Sequence, residues 1–165
     1  GGKKMIGQYE NDPKDYFLYA PRQYGLGQQH KHLPEVQHVC GLSEAPIFMP
    51  IVDDYYSGME VTVAIHSRLC RKPISIDKVQ QALEDFYKNS TIITVAPFTD
   101  SSNTGMLNAN KLSNTDSMKI YVTGNDERIM VHAIFDNLGK GASGAAVQCM
   151  NIALGLPEET GLALG

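Results

Sequence analysis

The stretch MKIYVTGNDERIMVHAIF, residues 118–135, consists of two alternating runs of apolar and polar residues joined by Asn-Asp-Glu. Successive side chains of a β-strand point to opposite faces of the sheet, so each run gathers its apolar residues on one face. A short polar connection between two such runs is typical of a β-hairpin. The stretch therefore predicts two adjacent antiparallel strands of one sheet.

Other segments predict strands that complete this sheet. GMEVTVAIHSRL, residues 58–69, has the strongest strand pattern, and four of its apolar side chains share a face: Met59, Val61, Val63 and Ile65. TIITVA, residues 91–96, predicts another strand, while APIFMPIV, residues 45–52, predicts an irregular one because two prolines interrupt it. YFLYA, residues 16–20, predicts a strand or an extended lead, and the Ser-, Asn- and Gly-rich residues 97–115 predict a loop.

Two longer helices are expected. SIDKVQQALEDFYKN, residues 75–89, can be capped by Ser75, and its apolar residues recur at helical spacing: Ile76, Val79, Leu83 and Phe86. A second helix is predicted over residues 142–154, ended by a glycine and a proline. The order of strands and helices predicts an α+β fold, a mainly antiparallel sheet with helices on one face.

Composition describes an ordinary folded domain of 165 residues, 42% hydrophobic and 19% charged. No apolar run approaches the ~20 residues that span a bilayer, and the first residues lack the apolar core of a secretory signal. A net charge of −4 argues against a nucleic-acid-binding surface. Cys40, Cys70 and Cys149 lack metal or disulfide spacing, so we expect free thiols and a cytoplasmic protein. Because Cys40 and Cys149 fall inside apolar helical patterns and Cys70 ends a strand, we expect these thiols to be buried or structural.

QQHKHLPEVQHVC, residues 28–40, contains three histidines, a glutamate and a cysteine. One interpretation is a metal site, but His30 and His32 diverge by about 200° if they lie on a helix, and no HExxH motif is present. Ligands for a metal therefore do not converge, and no metal is predicted.

A second interpretation of the same residues is proton transfer. Pro34 and Glu35 are typical of a helix start, and a helix beginning near His32 brings His32 and Glu35 to one face. An imidazole is an acid or base near neutral pH, and a carboxylate can fix its tautomer. Lys31 adds a cation for an anionic substrate group. The third interpretation is a solvated, polar helix start without chemistry, and the pattern alone leaves the last two open.

Two motifs resemble one enzyme family. HKHLPE, residues 30–35, resembles the His-Arg-His-x-Pro-Glu segment of N-acetyl-gamma-glutamyl-phosphate reductases, NADPH-dependent enzymes of arginine biosynthesis. DNLGKGASGAAVQCMNIALGLPEETGL, residues 136–162, is similar to the ending of the same family. Ser57 stands where many members have arginine, and Lys31 replaces an arginine, which keeps the charge but loses the planar fork. The resemblance covers residue 15 to the C-terminus.

The resemblance implies half of a two-domain enzyme. Residues 1–135 are expected to be the catalytic and dimerisation domain, with the fold of the C-terminal domain of glyceraldehyde-3-phosphate dehydrogenase. Residues 136–165 are expected to return to a Rossmann domain that binds NADP and carries the nucleophilic cysteine. The chain has no glycine-rich dinucleotide motif after a strand, and none of its cysteines has the nucleophile context, so we expect a fragment that is inactive alone.

The resemblance also implies roles for particular residues. His32 is the expected acid and base, with Glu35 orienting it or contacting the substrate amide. His30 and Lys31 are expected to bind the phosphate of the acyl-phosphate substrate. Asn137 is expected near the nicotinamide, although Asp136 and Asn137 are also good helix-capping residues.

Two other hypotheses remain at this point. One is a related semialdehyde dehydrogenase acting on another acyl phosphate, and the other is a dimerisation module without chemistry. In each case we expect a homo-oligomer, a dimer or tetramer, because the second faces of strands 58–69 and 118–135 are fairly apolar. We expect no nucleic-acid or membrane partner.

Overall fold

The computed structural model describes residues 3–98 and 105–165 of the chain. These residues form two compact units, Gly1–Tyr56 and Ser57–Gly165. The first unit contains the histidine cluster and the second contains the main sheet. Within the described part of the chain, no helix is both long enough and apolar enough to cross a bilayer.

The first unit is built from short elements. Helix α1 covers Lys3–Glu10, strand β1 covers Arg22–Gln23, helix α2 covers His32–Val39, and strand β2 covers Ile51–Val52. Strands β1 and β2 pair antiparallel. The pattern of residues 45–52 therefore yields only two residues of strand, as its prolines lead one to expect.

The aromatic run of the first unit corrects a sequence prediction. Tyr16–Tyr19 forms one turn of 3₁₀ helix and not a strand or an extended lead. The turn forms because Asp15 precedes it: its carboxylate accepts the N–H of Phe17 at 3.1 Å, and its carbonyl accepts the N–H of Leu18 at 2.9 Å. A local side-chain acceptor here overrides the strand propensity of aromatic residues.

The second unit contains a four-stranded sheet. Its strands are β3 (Met59–His66), β4 (Ile93–Val95), β5 (Met118–Gly124) and β6 (Arg128–Phe135), in the order β3-β6-β5-β4. Strand β6 runs antiparallel to both β3 and β5, whereas β4 runs parallel to β5. The predicted α+β class, the mainly antiparallel sheet and the hairpin are confirmed.

Helix α3, Ile76–Tyr87, covers one face of the sheet. Ser75 caps it, accepting the N–H of Lys78 at 3.4 Å. Three residues of the predicted stripe pack against the core around Val122 and Ile129: Ile76, Val79 and Leu83. The prediction was wrong for Phe86, which is 78% exposed because the last turn of α3 lies beyond this core cluster.

The opposite face of the sheet has its own apolar cluster. Tyr121 and Ile134 are buried there with Ala96, and Leu107 and Leu112 pack against them from the connection before β5. The described part of the predicted loop, residues 105–115, consists of turns without helix or strand. Residues 99–104 of that prediction lie outside the described residues.

A polar network crosses three strands of this second face. His132 on β6 is only 7% exposed, and its Nδ1 lies 2.8 Å from the Glu60 carboxylate on β3. The other ring nitrogen of His132 lies 2.9 Å from the hydroxyl of Thr123 on β5. Each polar atom of the buried ring therefore has a partner, as burial requires.

The chain ends with a π-helical turn at Gly139–Ser143 and helix α4 at Gly144–Ala153, close to the predicted bounds. The residues beyond α4 return to the sheet unit. Asp116 donates its backbone N–H to the Ala163 carbonyl at 2.6 Å and accepts the Ala163 N–H on its carboxylate at 2.9 Å.

The cysteines are free, as predicted, but two of them are not buried. Cys40 lies at the end of α2 and Cys149 on α4, and both are exposed, while Cys70 is half-buried. The prediction of buried thiols was wrong because it took every apolar helical pattern to be covered. Much of α4 is uncovered in this chain, where Met150, Ile152 and Leu154 are exposed.

Candidate functional site

A tight turn leads into the helix that carries the predicted catalytic residues. Gly25 has a φ of +63°, and a Cβ there would lie 3.3 Å from the Pro50 ring, so both backbone and space favour glycine. The Gln28 N–H closes the turn on the Gly25 carbonyl at 3.0 Å. Helix α2 then begins at His32 with Pro34 and Glu35 in its first turn, as predicted, and Leu33 is its buried anchor.

The side chain of Gln28 fixes the segment opposite the turn. Its amide donates to the Phe48 carbonyl at 2.7 Å and accepts the Phe48 N–H at 2.9 Å. The Phe48 ring is thereby held beside His30, with ring centroids 5.0 Å apart. The roles of Gln28 and Phe48 were not predictable from the sequence, because contacts between residues twenty positions apart leave no periodic signal.

His30 is half-buried, whereas the other predicted site residues around α2 are exposed. Its ring contacts Phe48, the Tyr24 ring at 5.9 Å and the His32 ring at 4.8 Å between centroids. Its Nδ1 accepts the backbone N–H of His32 at 3.3 Å. An Nδ1 that accepts this bond carries no proton, so the bond selects the neutral tautomer with its proton on Nε2.

His32, Lys31 and Glu35 are exposed on α2 or just before it. All three lie at the N-terminus of α2, which is the positive end of the helix dipole. His32 and Glu35 both lie in the described part of the chain, and no hydrogen bond or ion pair joins their side chains. The predicted orientation of His32 by Glu35 thus stays a prediction.

An open cavity of about 520 Å³ lies along the same helix. It is lined by residues from the middle and end of α2 and from the turn after it: Pro34, Gln37, His38, Gly41 and Leu42. His32 does not line it. Within residues 3–98 and 105–165, no group of three or more His, Cys, Asp or Glu side chains is arranged to hold a metal ion.

The second predicted location is the turn after β6. Asn137 is half-buried, and its Oδ1 accepts the Gly58 N–H at 2.8 Å. Gly58 has a φ of +121°, and a Cβ there would lie 2.6 Å from the Ala109 carbonyl oxygen, so only glycine fits this approach. The Asn137 amide nitrogen is left as a donor, and its proposed contact with a nicotinamide stays a prediction.

Asp136 organises this turn from within. It is 2% exposed, and its carboxylate accepts backbone N–H groups from Asn114 at 2.5 Å, Leu138 at 2.7 Å and Gly139 at 3.1 Å. Burial raises the pKa of Asp136, but these bonds and one from Ser57 outweigh it and leave the pKa below its ordinary value. The capping alternative is confirmed for Asp136, which satisfies the N–H groups that open the π-helical turn.

Comparison with known proteins identifies the family. A family model described as the semialdehyde dehydrogenase dimerisation domain matches residues 4–137. The chain belongs to this family. The resemblance drawn from the two motifs is confirmed, because curated relatives named N-acetyl-gamma-glutamyl-phosphate reductase match nearly the whole chain.

Three relatives illustrate the match. The protein from Sinorhizobium medicae is 40% identical over 93% of this chain and 51% of its own length. The protein from Brucella anthropi is 41% identical over 94% of this chain and 51% of its own length. The reductase 2 of a Nostoc strain is 38% identical over 98% and 53%. The chain therefore spans about half the length of the curated relatives it matches.

Proposed function

We propose that this chain is the catalytic and dimerisation portion of an N-acetyl-gamma-glutamyl-phosphate reductase. The observation that carries the proposal is identity of about 40% to reductases over more than nine-tenths of the chain. The reaction is the NADPH-dependent conversion of an acyl phosphate to the corresponding semialdehyde in cytoplasmic arginine biosynthesis. A cysteine on a nucleotide-binding domain, outside this chain, completes the site.

His32 is the proposed acid and base. Its ring is exposed at the start of α2, so a sulfur from another domain has access to it. A neutral imidazole takes the thiol proton, which produces the nucleophilic thiolate, and the imidazolium returns a proton to the reacting oxygen. Glu35, one helical turn along, favours the charged ring once the site is assembled.

Lys31 is the proposed partner of the substrate phosphate. Its exposed ammonium lies at the helix N-terminus, where the macrodipole adds to the attraction for an anion. A lysine acts as a point charge and does not provide the bidentate grip of an arginine. His30 has an Nε2–H donor directed away from the bond at Nδ1 and is the second proposed phosphate contact.

Asn137 is the proposed contact to the nicotinamide. Its Oδ1 accepts the Gly58 N–H, which turns the amide so that its N–H groups are offered to a ligand, and these suit a carboxamide oxygen. The bound cofactor supplies a hydride. The role of Asn137 is to orient the ring that carries it, and the amide is already held in place by the turn.

The C-terminal part, residues 136–165, is proposed to return to the nucleotide-binding domain. Helix α4 exposes Met150 and Ile152, and Leu154 directly after it is exposed as well, each with more than half of its surface accessible. Apolar side chains left exposed around the end of a helix are costly in water and normally meet a partner. With residues 136–165 proposed to belong to the nucleotide-binding domain, the remaining residues, 1–135, are proposed to form the catalytic and dimerisation domain.

A complementation assay tests the catalytic proposal. The chain is mixed with the nucleotide-binding half of a related reductase, and acyl-phosphate-dependent oxidation of NADPH is followed. We expect no activity from the chain alone, activity in the mixture, and a loss of about a hundredfold or more in His32→Ala. His38→Ala is the matched control on the same helix and should keep the rate. A mixture as active with His32→Ala as without it would refute the proposal.

Self-association is the second part of the proposal. The family is named for dimerisation, and β3 exposes 45% of Val61 and 55% of Val63, which share the α3 face of the sheet with Ile65 but lie farther along the strand. We expect a homodimer or tetramer in sedimentation, and Val63→Lys should shift it toward the monomer, with Thr94→Lys on β4 as the control. A wild-type chain that is monomeric at micromolar concentration would contradict self-association through β3 and would indicate that assembly needs the nucleotide-binding domain.

A further inference from the structure

The first turn of α2 has a cap that the residue before it does not supply. The first N–H groups of a helix have no partner inside the helix and need acceptors from outside. Lys31, at the N-cap position, offers no acceptor through its side chain. The imidazole of His30 takes this role, with its Nδ1 accepting the N–H of His32.

The acceptor is held by its surroundings. Phe48 and Tyr24 contact the His30 ring from the loop segments beside it, and Gln28 fixes Phe48 through two bonds to its backbone. Gly25 also lies beside the ring, at a distance where an added Cβ would be in ordinary van der Waals contact, 3.9 Å from its Cδ2. The ring is therefore braced by neighbours on several sides, and its Nδ1 points at the peptide group of His32.

We infer that His30 is a positioning residue, whose neutral imidazole caps α2 and sets the direction of His32. This inference rests on the proposed function, in which His32 is the acid and base. It assigns the principal role of His30 to its Nδ1 and the helix, ahead of the phosphate contact that its Nε2 could make. Displacing the start of α2 displaces the backbone of His32, and a misplacement of about 1 Å can cost a hundredfold in rate.

The cap requires an uncharged His30. A proton on Nδ1 would remove the acceptor and place a positive charge at the positive end of the helix dipole. The titratable groups around the ring are Tyr24 from the preceding loop, His32 and Glu35 from α2, and the adjacent Lys31, while Phe48 is not ionisable. Protonation of His30 should therefore loosen α2 before any other element of the first unit.

The first test uses the chain itself and does not depend on activity. Long-range ¹H–¹⁵N NMR spectra of the imidazoles at neutral pH should show His30 with its proton on Nε2 and Nδ1 unprotonated. His38, at the other end of α2, serves as the comparison. As pH falls, the Cα shifts of residues 32–35 should lose helical character together with the protonation of His30. A proton on Nδ1 at neutral pH, or helical shifts that ignore the titration of His30, would overturn the inference.

The second test uses the complemented enzyme and two variants. His30→Phe fills the space without an acceptor and should lower kcat about tenfold to a hundredfold, a larger effect than any rise in KM from the lost Nε2–H. His30→Asn keeps an acceptor near the Nδ1 position and should recover most of the rate. A rise in KM alone, not rescued by Asn, would show a direct phosphate contact and refute the positioning role. Failure of the proposed function is distinguishable, because it would leave His32→Ala active without changing the NMR result.

Discussion

Gly144, the first residue of α4, lies where a side chain has no room. A Cβ at this position would lie 2.7 Å from the carboxylate carbon of Asp116 and 3.0 Å from the Gly139 carbonyl oxygen. The Asp116 carboxylate cannot simply move aside, because it accepts the Ala163 N–H at 2.9 Å. Gly144→Ala should therefore displace Asp116 and release the segment after α4.

The magnitude follows from three contributions. Alanine in a helix is more favourable than glycine by about 1 kcal/mol. Overpacking costs about 1–3 kcal/mol, and losing a hydrogen bond to a half-exposed carboxylate costs about 1–2 kcal/mol. We expect Gly144→Ala to lower the free energy of unfolding by about 1–4 kcal/mol, the balance of these values.

A double-mutant cycle isolates the cause. Asp116→Ala alone should cost about 1–2 kcal/mol, because it removes the acceptor for Ala163. Gly144→Ala added to Asp116→Ala should cost little, since its principal obstacle is gone, so the two changes should be coupled by about 2 kcal/mol. Urea denaturation gives the free energies, and amide exchange at Ala163 reports release of the segment directly.

Gly7→Ala is the matched control. Gly7 lies in α1, and nothing is within 4 Å of the position its Cβ would take. The control should be neutral or stabilising by up to about 1 kcal/mol. If Gly144→Ala is as harmless as Gly7→Ala, or costs the same with and without Asp116, the clash does not determine this position.

Three further predictions concern stability. Asp136→Asn should lower the free energy of unfolding at pH 7. Burial raises the pKa of Asp136, but its backbone N–H partners lower it by more, so the wild-type contribution is present above the unfolded value near 3.8 and is lost as pH falls through the folded value. The variant should therefore show a flatter stability profile below pH 4 in acid titrations. Leu83→Ala should cost about 2–5 kcal/mol in urea denaturation, whereas Phe86→Ala should stay within about 0.5 kcal/mol, and equal losses would contradict the placement of Phe86 outside the core. Glu60→Ala should cost about 1–3 kcal/mol, and Glu60→Gln, which still offers an oxygen to His132, should recover part of it; thermal unfolding of Glu60→Ala identical to that of the wild type would show that this bond contributes nothing.

The elements that were predictable from the sequence are those with local causes. The hairpin of β5 and β6 is predicted by the alternation of apolar and polar residues and by Asn125 in the turn. The Asn125 side chain accepts the N–H groups of Glu127 and Arg128 at 3.0 Å each. Helix α3 is predicted by its capping residue, Ser75, and by its stripe of apolar side chains. In both cases the signal and the structure lie within the same few residues, and the pattern therefore determines the outcome.

The features that escaped prediction depend on distant residues. Nothing in TIITVA indicates that β4 runs parallel to β5, because strand direction follows from the whole connection between them. The cap on α2 depends on Phe48 holding the His30 ring, a contact without any sequence pattern. The exposure of Cys149 and Phe86 depends on which faces are covered, and that is decided by the packing of the entire chain.

The pairing of β3 with β6 has a consequence during synthesis on the ribosome. Strand β3 has β6 as its only strand partner among the residues described, and β6 lies roughly 60 residues later in the chain. At ~5–20 residues per second, the nascent strand waits roughly 3–12 s before its partner is translated. Throughout that interval an alternating, valine-rich segment is available to chaperones or to neighbouring polysomes, so slowing translation between codons 67 and 127 should increase aggregation of the newly made protein.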